Sequence, residues 1–269
     1  MTSRPRNTDE FVILHATDLL ADSQPVFEQA IALALAGSGR LVSLHAADGS
    51  AQTELPEFLE VFEKWGTSVE QFEHDTLVYE RQNHPRNMLI KIIEELRPDL
   101  LIVGTRMQQG EPRKFRGSVS EVVALETHVP TLVVHIGEPG LIDAKGKITL
   151  NRVLVPVGDG DEAREAIGGL TRLLDQLAID DVDIYLLRVG DAEILEHITT
   201  PERAGRRYHK INAQGLLADV ISKTCEDKNI DLIAMATRGQ DGVVDLISGT
   251  HTQRVIRRTP RPVLVVKVP

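Results

Sequence analysis

Asp99-Leu-Leu-Ile-Val-Gly-Thr-Arg-Met107, then nine residues and Gly117-Ser118, returns 132 positions later as Asp231-Leu-Ile-Ala-Met-Ala-Thr-Arg-Gly239, nine residues and Gly249-Thr250. Each copy opens on a short apolar run bounded by turn residues, the pattern of a buried strand. Each then places glycine and a hydroxyl ahead of a helical stretch. Pro130 and Pro262 hold the same offset, so the chain reads as a tandem repeat.

The length agrees, since 269 residues accommodate two domains of about 130. Thirty Lys and Arg against forty Asp and Glu give a net charge of −10, which disfavours nucleic acid and anionic membranes as partners. Cys225, the single cysteine, lies in an apolar helical pattern and is expected as a buried small hydrophobe in a reducing compartment. Met1 to Glu10 is polar, unlike a secretory signal, and no stretch reaches the ~18 apolar residues of a membrane span. A cytoplasmic protein is expected.

Working outward, the first half begins with a strand at Phe11 to Ala16 and a helix carrying Val26, Ile31, Leu33 and Leu35 that stops at Gly37-Ser38-Gly39. A strand at Leu41 to Ala47 and an irregular acidic insertion from Gln52 to Glu73 follow. Next come a strand near Thr76 to Glu80, a helix around Met88 to Leu96 stopped by Pro98, a strand at Leu100 to Gly104, a helix from Ser118 to Thr127 and a strand at Thr131 to Ile136. Gly137 to Asn151 reads as the linker. The second half replays the order with Val153 to Val157, a helix near Asp161 to Leu177, Val182 to Val189, a helix near Leu216 to Cys225, Leu232 to Ala236, a helix after Gly249, and Val263 to Val268. Alternating strands and amphipathic helices specify parallel sheets covered on both faces. The apolar last strands would be exposed edges alone, so their pairing is expected to join the halves.

In such a sheet, ligands sit outside the carboxyl ends of the strands, which both repeated loops leave. Gly117-Ser118 and Gly249-Thr250 would put free amides and a hydroxyl at a helix start, where the dipole favours an anion. On these residues the chain resembles the universal stress protein family in its tandem form, whose signature is glycine, two residues, glycine, nine residues, then Gly-Ser or Gly-Thr. The resemblance covers both halves. It implies an α/β fold of two tandem doubly wound five-stranded parallel sheets, Rossmann-like and adenine nucleotide α-hydrolase-like, packed as an intramolecular pseudo-dimer through their last strands. The expected domains are residues 1–137 and 152–269, with a linker at 138–151.

It further implies a stress-response protein that binds ATP or AMP, with or without Mg2+, in one or both halves. The site residues so implied are Asp18, Gly104, Arg106, Gly117 and Ser118 in half one, and Asp159, Ala236, Gly239, Gly249 and Thr250 in half two. Asp18 matches an aspartate that the family tends to carry after its first strand, near the adenosine. Met107 replaces the second glycine in half one, and Ala236 the first in half two. Gly158 stands where half two would carry the aspartate, with Asp159 one residue later. The loop from Thr105 to Arg116 holds Arg106, Arg113, Lys114 and Arg116 against Glu111, a net of +3, whereas Thr237 to Ser248 holds Arg238 against Asp241 and Asp245, a net of −1. This charge difference tilts phosphate affinity toward half one.

Other motifs carry less. Gly158-Asp-Gly-Asp-Glu-Ala163 formally matches a dinucleotide fingerprint, but its three acids would repel a pyrophosphate. No histidine pair has metal spacing; His15 and His45, on strands expected to be neighbours, read as ordinary strand histidines. No Walker lysine motif, Gly-x-Ser-x-Gly elbow or Cys-x-x-Cys pair occurs, so binding with at most slow ATP hydrolysis is expected. A nucleotide-free scaffold of the same fold is the alternative. A second copy of the chain and an unidentified protein are the other partners such a module would take.

Overall fold

The computed structural model describes residues 10–47, 57–69, 72–80, 85–106, 119–238 and 251–268. Half one comprises β1 (Val12–Thr17), α1 (Gln24–Ala36), β2 (Arg40–Ala47), α2 (Phe58–Trp65), β3 (His74–Glu80), α3 (Pro85–Leu96), β4 (Leu100–Thr105), α4 (Val119–Glu126) and β5 (Thr131–His135). Half two comprises β6 (Arg152–Pro156), α5 (Gly160–Gln176), β7 (Val182–Val189), α6 (Glu193–His197), β8 (Arg206–Ala213), α7 (Leu217–Asp227), β9 (Leu232–Thr237), α8 (His251–Arg258) and β10 (Val263–Lys267). Among these, no helix is long and apolar enough to cross a membrane.

The strands form one ten-stranded sheet in the order β3-β2-β1-β4-β5-β10-β9-β6-β7-β8. Each half is parallel, and the halves join as expected: β5 and β10 pair antiparallel, with Val263 opposite Val133 and Leu264 opposite Leu132. Central strands are buried on both faces, so their residues alternate between two cores. Ile13, Ile102, Leu132 and Leu264 face the core under α1, α2 and α5. Leu14, Val103, Val133 and Val263 face the core under α3, α4, α7 and α8. Cys225 is buried in the second of these.

The repeated aspartates start the first strand of each half. The carboxylate of Asp99 accepts from the Val12 amide at 2.8 Å, and that of Asp231 accepts from the amides of Asn151 and Arg152, both at 2.8 Å. The last strands interlock the halves: His135 of β5 bonds the Ile256 carbonyl in α8, and Lys267, 132 positions later in β10, donates to the Glu126 carbonyl in α4.

The structure departs from the sequence reading in three places. The stop of α1 puts its left-handed residue at Ser38 (φ 50°), with Ala178 (φ 52°) after α5. Gly39 is needed for space instead, because a Cβ there would lie 2.3 Å from the Phe11 carbonyl oxygen. Within the insertion read as irregular, α2 turns Phe58 and Phe62 toward Phe72, at ring-centroid distances of 5.4 and 5.5 Å. The third strand of half two, β8, lacked an apolar signal because it is an edge. Its Arg207 pairs with Asp181 and Asp183, and His209 pairs with Asp183 at 2.7 Å. Charged side chains of this kind keep an edge from pairing further.

Residues 137–151, read as a linker, are anchored on the core by two leucines. Leu141 is fully buried and Leu150 is 3% exposed. The Leu141 amide donates to the Gln29 side chain on α1 at 2.8 Å, and an isolated bridge links Ile142 to Ile148.

Candidate functional site

Each half reverses its strand order between its first and fourth strands, β1 and β4 or β6 and β9, and so opens a crevice at their carboxyl ends. In half one the chain leaves β1 through Leu19 at φ 59°, whose amide donates to the Thr17 hydroxyl at 3.1 Å. His45 on β2 bonds the Thr17 carbonyl at 3.0 Å. This turn presents Asp18, which accepts from the Ser23 hydroxyl at 2.6 Å, the Leu20 amide at 3.1 Å and Arg106 at 2.9 Å. Arg106, just past β4, also takes both oxygens of Asp22, at 3.0 and 2.7 Å. Burial alone would push the Asp18 carboxyl up; the bonds from Ser23, Leu20 and Arg106 outweigh it and hold the group below its usual value. Arg106 holds Asp22 low as well.

Half two builds the same bracket differently. Asp159 caps α5, accepting from the amides of Asp161 and Glu162 at 3.0 and 2.9 Å, and its other oxygen accepts from Arg238. Arg238 also reaches Glu162 at 3.3 Å. The pairing of β1 with β4 and of β6 with β9 aligns Ile13 with Val153, which places Gly158 at the position of Asp18 and Glu162 at that of Asp22. A Cβ on Gly158 would lie 1.8 Å from a Glu162 carboxylate oxygen. Glu162 therefore fills the space that an aspartate side chain at 158 would need. Burial, then the charge of Asp159, pushes the Glu162 carboxyl up, whereas the Glu162 amide is foremost in holding Asp159 low. Arg188 on β7 takes the part of His45, donating to the Val157 and Gly158 carbonyls.

Two sequence expectations change. Arg106, counted above among the phosphate-attracting charges of its loop, is already matched by two carboxylates. Gly104 is closely packed: a Cβ there would stand 3.1 Å from the Ile136 side chain and 3.2 Å from that of Val26, which would have to shift by a few tenths of an ångström. Met107, Glu111, Arg113, Lys114, Arg116, Gly117, Ser118, Gly239, Asp241, Asp245, Gly249 and Thr250 lie outside the described residues. Of the expected sites, the structure brings together Asp18 with Arg106 and Asp159 with Arg238. Asp22 and Glu162 escaped the sequence reading. Their common position four residues after Asp18 and Gly158 was the available signal.

Beside Asp18 the structure opens a cleft of about 910 Å³, lined by Thr17, Leu20, Ser23, Phe27, Phe58 and His74. Beneath it His15 packs on Phe27 at 5.6 Å with its Nδ1 buried and without a hydrogen-bond partner among the described residues. Burial, then His74, drives its pKa from 6.5 to about 3 against an upward pull from Asp18. The unfolded chain gains this proton near pH 6.5 and the folded chain only near 3, so stability is lost as pH falls through that window, by up to about 1.4 kcal/mol per pH unit. His15→Phe is expected to flatten the acid limb of urea-unfolding stability between about pH 6 and 4. An unchanged slope would assign that limb to other groups.

The family model for the universal stress protein family matches residues 12–135 and 192–267. A universal stress protein of Synechocystis is 26% identical over 194 residues, 68% of this chain and 64% of that protein. One from Methanocaldococcus jannaschii is 38% identical over 85 residues, 31% of this chain and 50% of its own length. The chain thus spans about half to two-thirds of these curated relatives. Among solved structures, a universal stress protein from Archaeoglobus fulgidus superposes with a TM-score of 0.63 at 20% identity, covering 96% of this chain and 98% of that one, a likeness of fold.

Proposed function

The chain belongs to the universal stress protein family, and from that premise we propose that it binds an adenine nucleotide, ATP or AMP, in the crevice of half one and acts as a stress-response binding module. The observation that carries this reading is the cleft beside Asp18, whose wall offers the half-buried Phe58 to a planar base while Thr17 offers a polar group next to it. A ribose would lie against Asp18. The phosphates would run toward Gly104 and Arg106, with Gly117 and Ser118 as expected ligands beyond. Arg106 would exchange a carboxylate for a phosphate oxygen, a trade between anions of similar hydrogen-bonding geometry.

Half two is the poorer site. Asp159, Asp161 and Glu162 crowd its crevice, Asp159 already satisfies the first amides of α5, and Arg238 is bound to two of these acids. Its role in this reading is to complete the pseudo-dimer. A cytoplasmic location and a protein partner that reads the bound state belong to the same proposal.

Thermal unfolding tests it. ATP at 100 times its Kd is expected to stabilise the chain by about 2.7 kcal/mol. Phe58→Ala should weaken that effect by removing a wall of the cleft. A melting temperature indifferent to millimolar ATP and AMP would favour the nucleotide-free scaffold.

A further inference from the structure

One face of the sheet differs between the halves in a way that the fold does not require. In the core under α1, α2 and α5, half two carries Val155 on β6, Leu186 on β7 and Tyr208 on β8. The strand register that sets Ile13 level with Val153 puts His15, Ser43 and His74 at those three positions in half one. His15 is 1% exposed and Ser43 is fully buried. Burying polar groups where apolar ones fit costs stability, and half two closes the same sheet without them.

Ser43 decides which proton His74 keeps. Its hydroxyl lies 2.9 Å from the His74 Nε2 and has no other partner among the described residues. A buried hydroxyl with one such neighbour satisfies its proton by donating to it, so Nε2 accepts and the proton of the neutral ring sits on Nδ1. Burial lowers the His74 pKa against an upward pull from Asp75, which keeps the ring neutral near pH 7. Phe27, Phe58 and Phe72 hold the ring at centroid distances of 5.5, 5.9 and 6.4 Å. Nδ1 is not enclosed and has no partner among the described residues. Since His74 lines the cleft beside Asp18, together with Phe58 and Thr76, a donor of fixed tautomer is offered there.

We propose that His74 reads the base of the nucleotide bound in half one: its Nδ1–H donates to a ring nitrogen of an adenine lying against Phe58, and Ser43 is the positioning residue that fixes the donor. This rests on the binding of an adenine nucleotide in that cleft. Adenine presents acceptors at N1, N3 and N7, and the edge turned toward β3 supplies the one that is read. The two buried polar groups that half two lacks thereby have a use in half one.

Binding of ATP and of its 1-deaza, 3-deaza and 7-deaza analogues to the full chain would be measured by calorimetry. One analogue is expected to bind about threefold to tenfold more weakly than ATP, the worth of one neutral hydrogen bond. His74→Phe combined with Ser43→Ala gives half one an apolar floor like that of half two, so the chain should fold. In that variant ATP should weaken by the same factor and the discrimination should vanish. A purely structural role for the pair would weaken every ligand alike and leave the preference intact. That outcome, or a parent chain that binds ATP and all the analogues equally, overturns the proposal while leaving nucleotide binding in place. Failure of ATP itself to bind would remove the nucleotide reading and the proposal with it.

Discussion

Leu264→Ala is expected to lower the unfolding free energy by about 2 to 5 kcal/mol, the cost of deleting a fully enclosed leucine and leaving part of the cavity. Leu264 is fully buried, lies opposite Leu132 across the junction of the halves and beside Ala234 on β9, and faces the core shared by α1 and α5. Because the same strand closes the only pairing between the halves along the described sheet, the loss should be felt by the whole chain rather than by half two alone. Urea unfolding followed by circular dichroism reads it. A loss under about 1 kcal/mol would mean that the halves do not share this core as described.

A second large effect separates two substitutions that look equivalent. The Arg206 side chain is fully buried; it donates to Asp175 at 2.6 Å and to the Ile179 carbonyl at 3.1 Å, while its Nε and Nη1 have no partner among the described residues. Asp175→Ala leaves that cation buried with Asp180 at 3.7 Å as its remaining acid. Breaking a wholly buried pair costs about 3 to 5 kcal/mol; because Asp175 is 41% exposed and Asp180 remains, about 2 to 3 is expected here. Arg206→Met removes the buried charge and keeps an apolar stem, so it should stay within about 1 kcal/mol of the parent. The two stabilities, measured side by side, should differ in that order. If Arg206→Met is the more damaging, the guanidinium is worth more than its burial costs.

The fold was legible because the central strands are buried on both faces: Leu100 to Val103 and Leu232 to Met235 declare themselves with no help from context. The apolar last strands, Thr131 to Ile136 and Val263 to Val268, pointed to the pairing of β5 with β10 as well, since each would be an exposed edge alone. β8 was not legible, because an edge strand is held by cross-strand ion pairs such as Arg207 with Asp183 and has no apolar period to show. Of the charged groups that meet in the two crevices, Asp18, Arg106 and Asp159 were singled out in the sequence, whereas the second carboxylates were not. Asp22 and Glu162 lie in unremarkable acidic turns, and only the sheet register brings each opposite an arginine 84 or 76 residues away. The pairing of Arg106 with Asp18 and Asp22 is likewise a property of the folded crevice that a count of loop charges does not show.

Native mass spectrometry of the intact chain with ATP tests the central claim most directly, because it reports nucleotides per chain. One nucleotide is predicted, retained by Glu162→Ala and lost with Asp18→Ala. Two per chain, none, or one that Glu162→Ala removes and Asp18→Ala leaves in place would contradict the assignment of the site to half one.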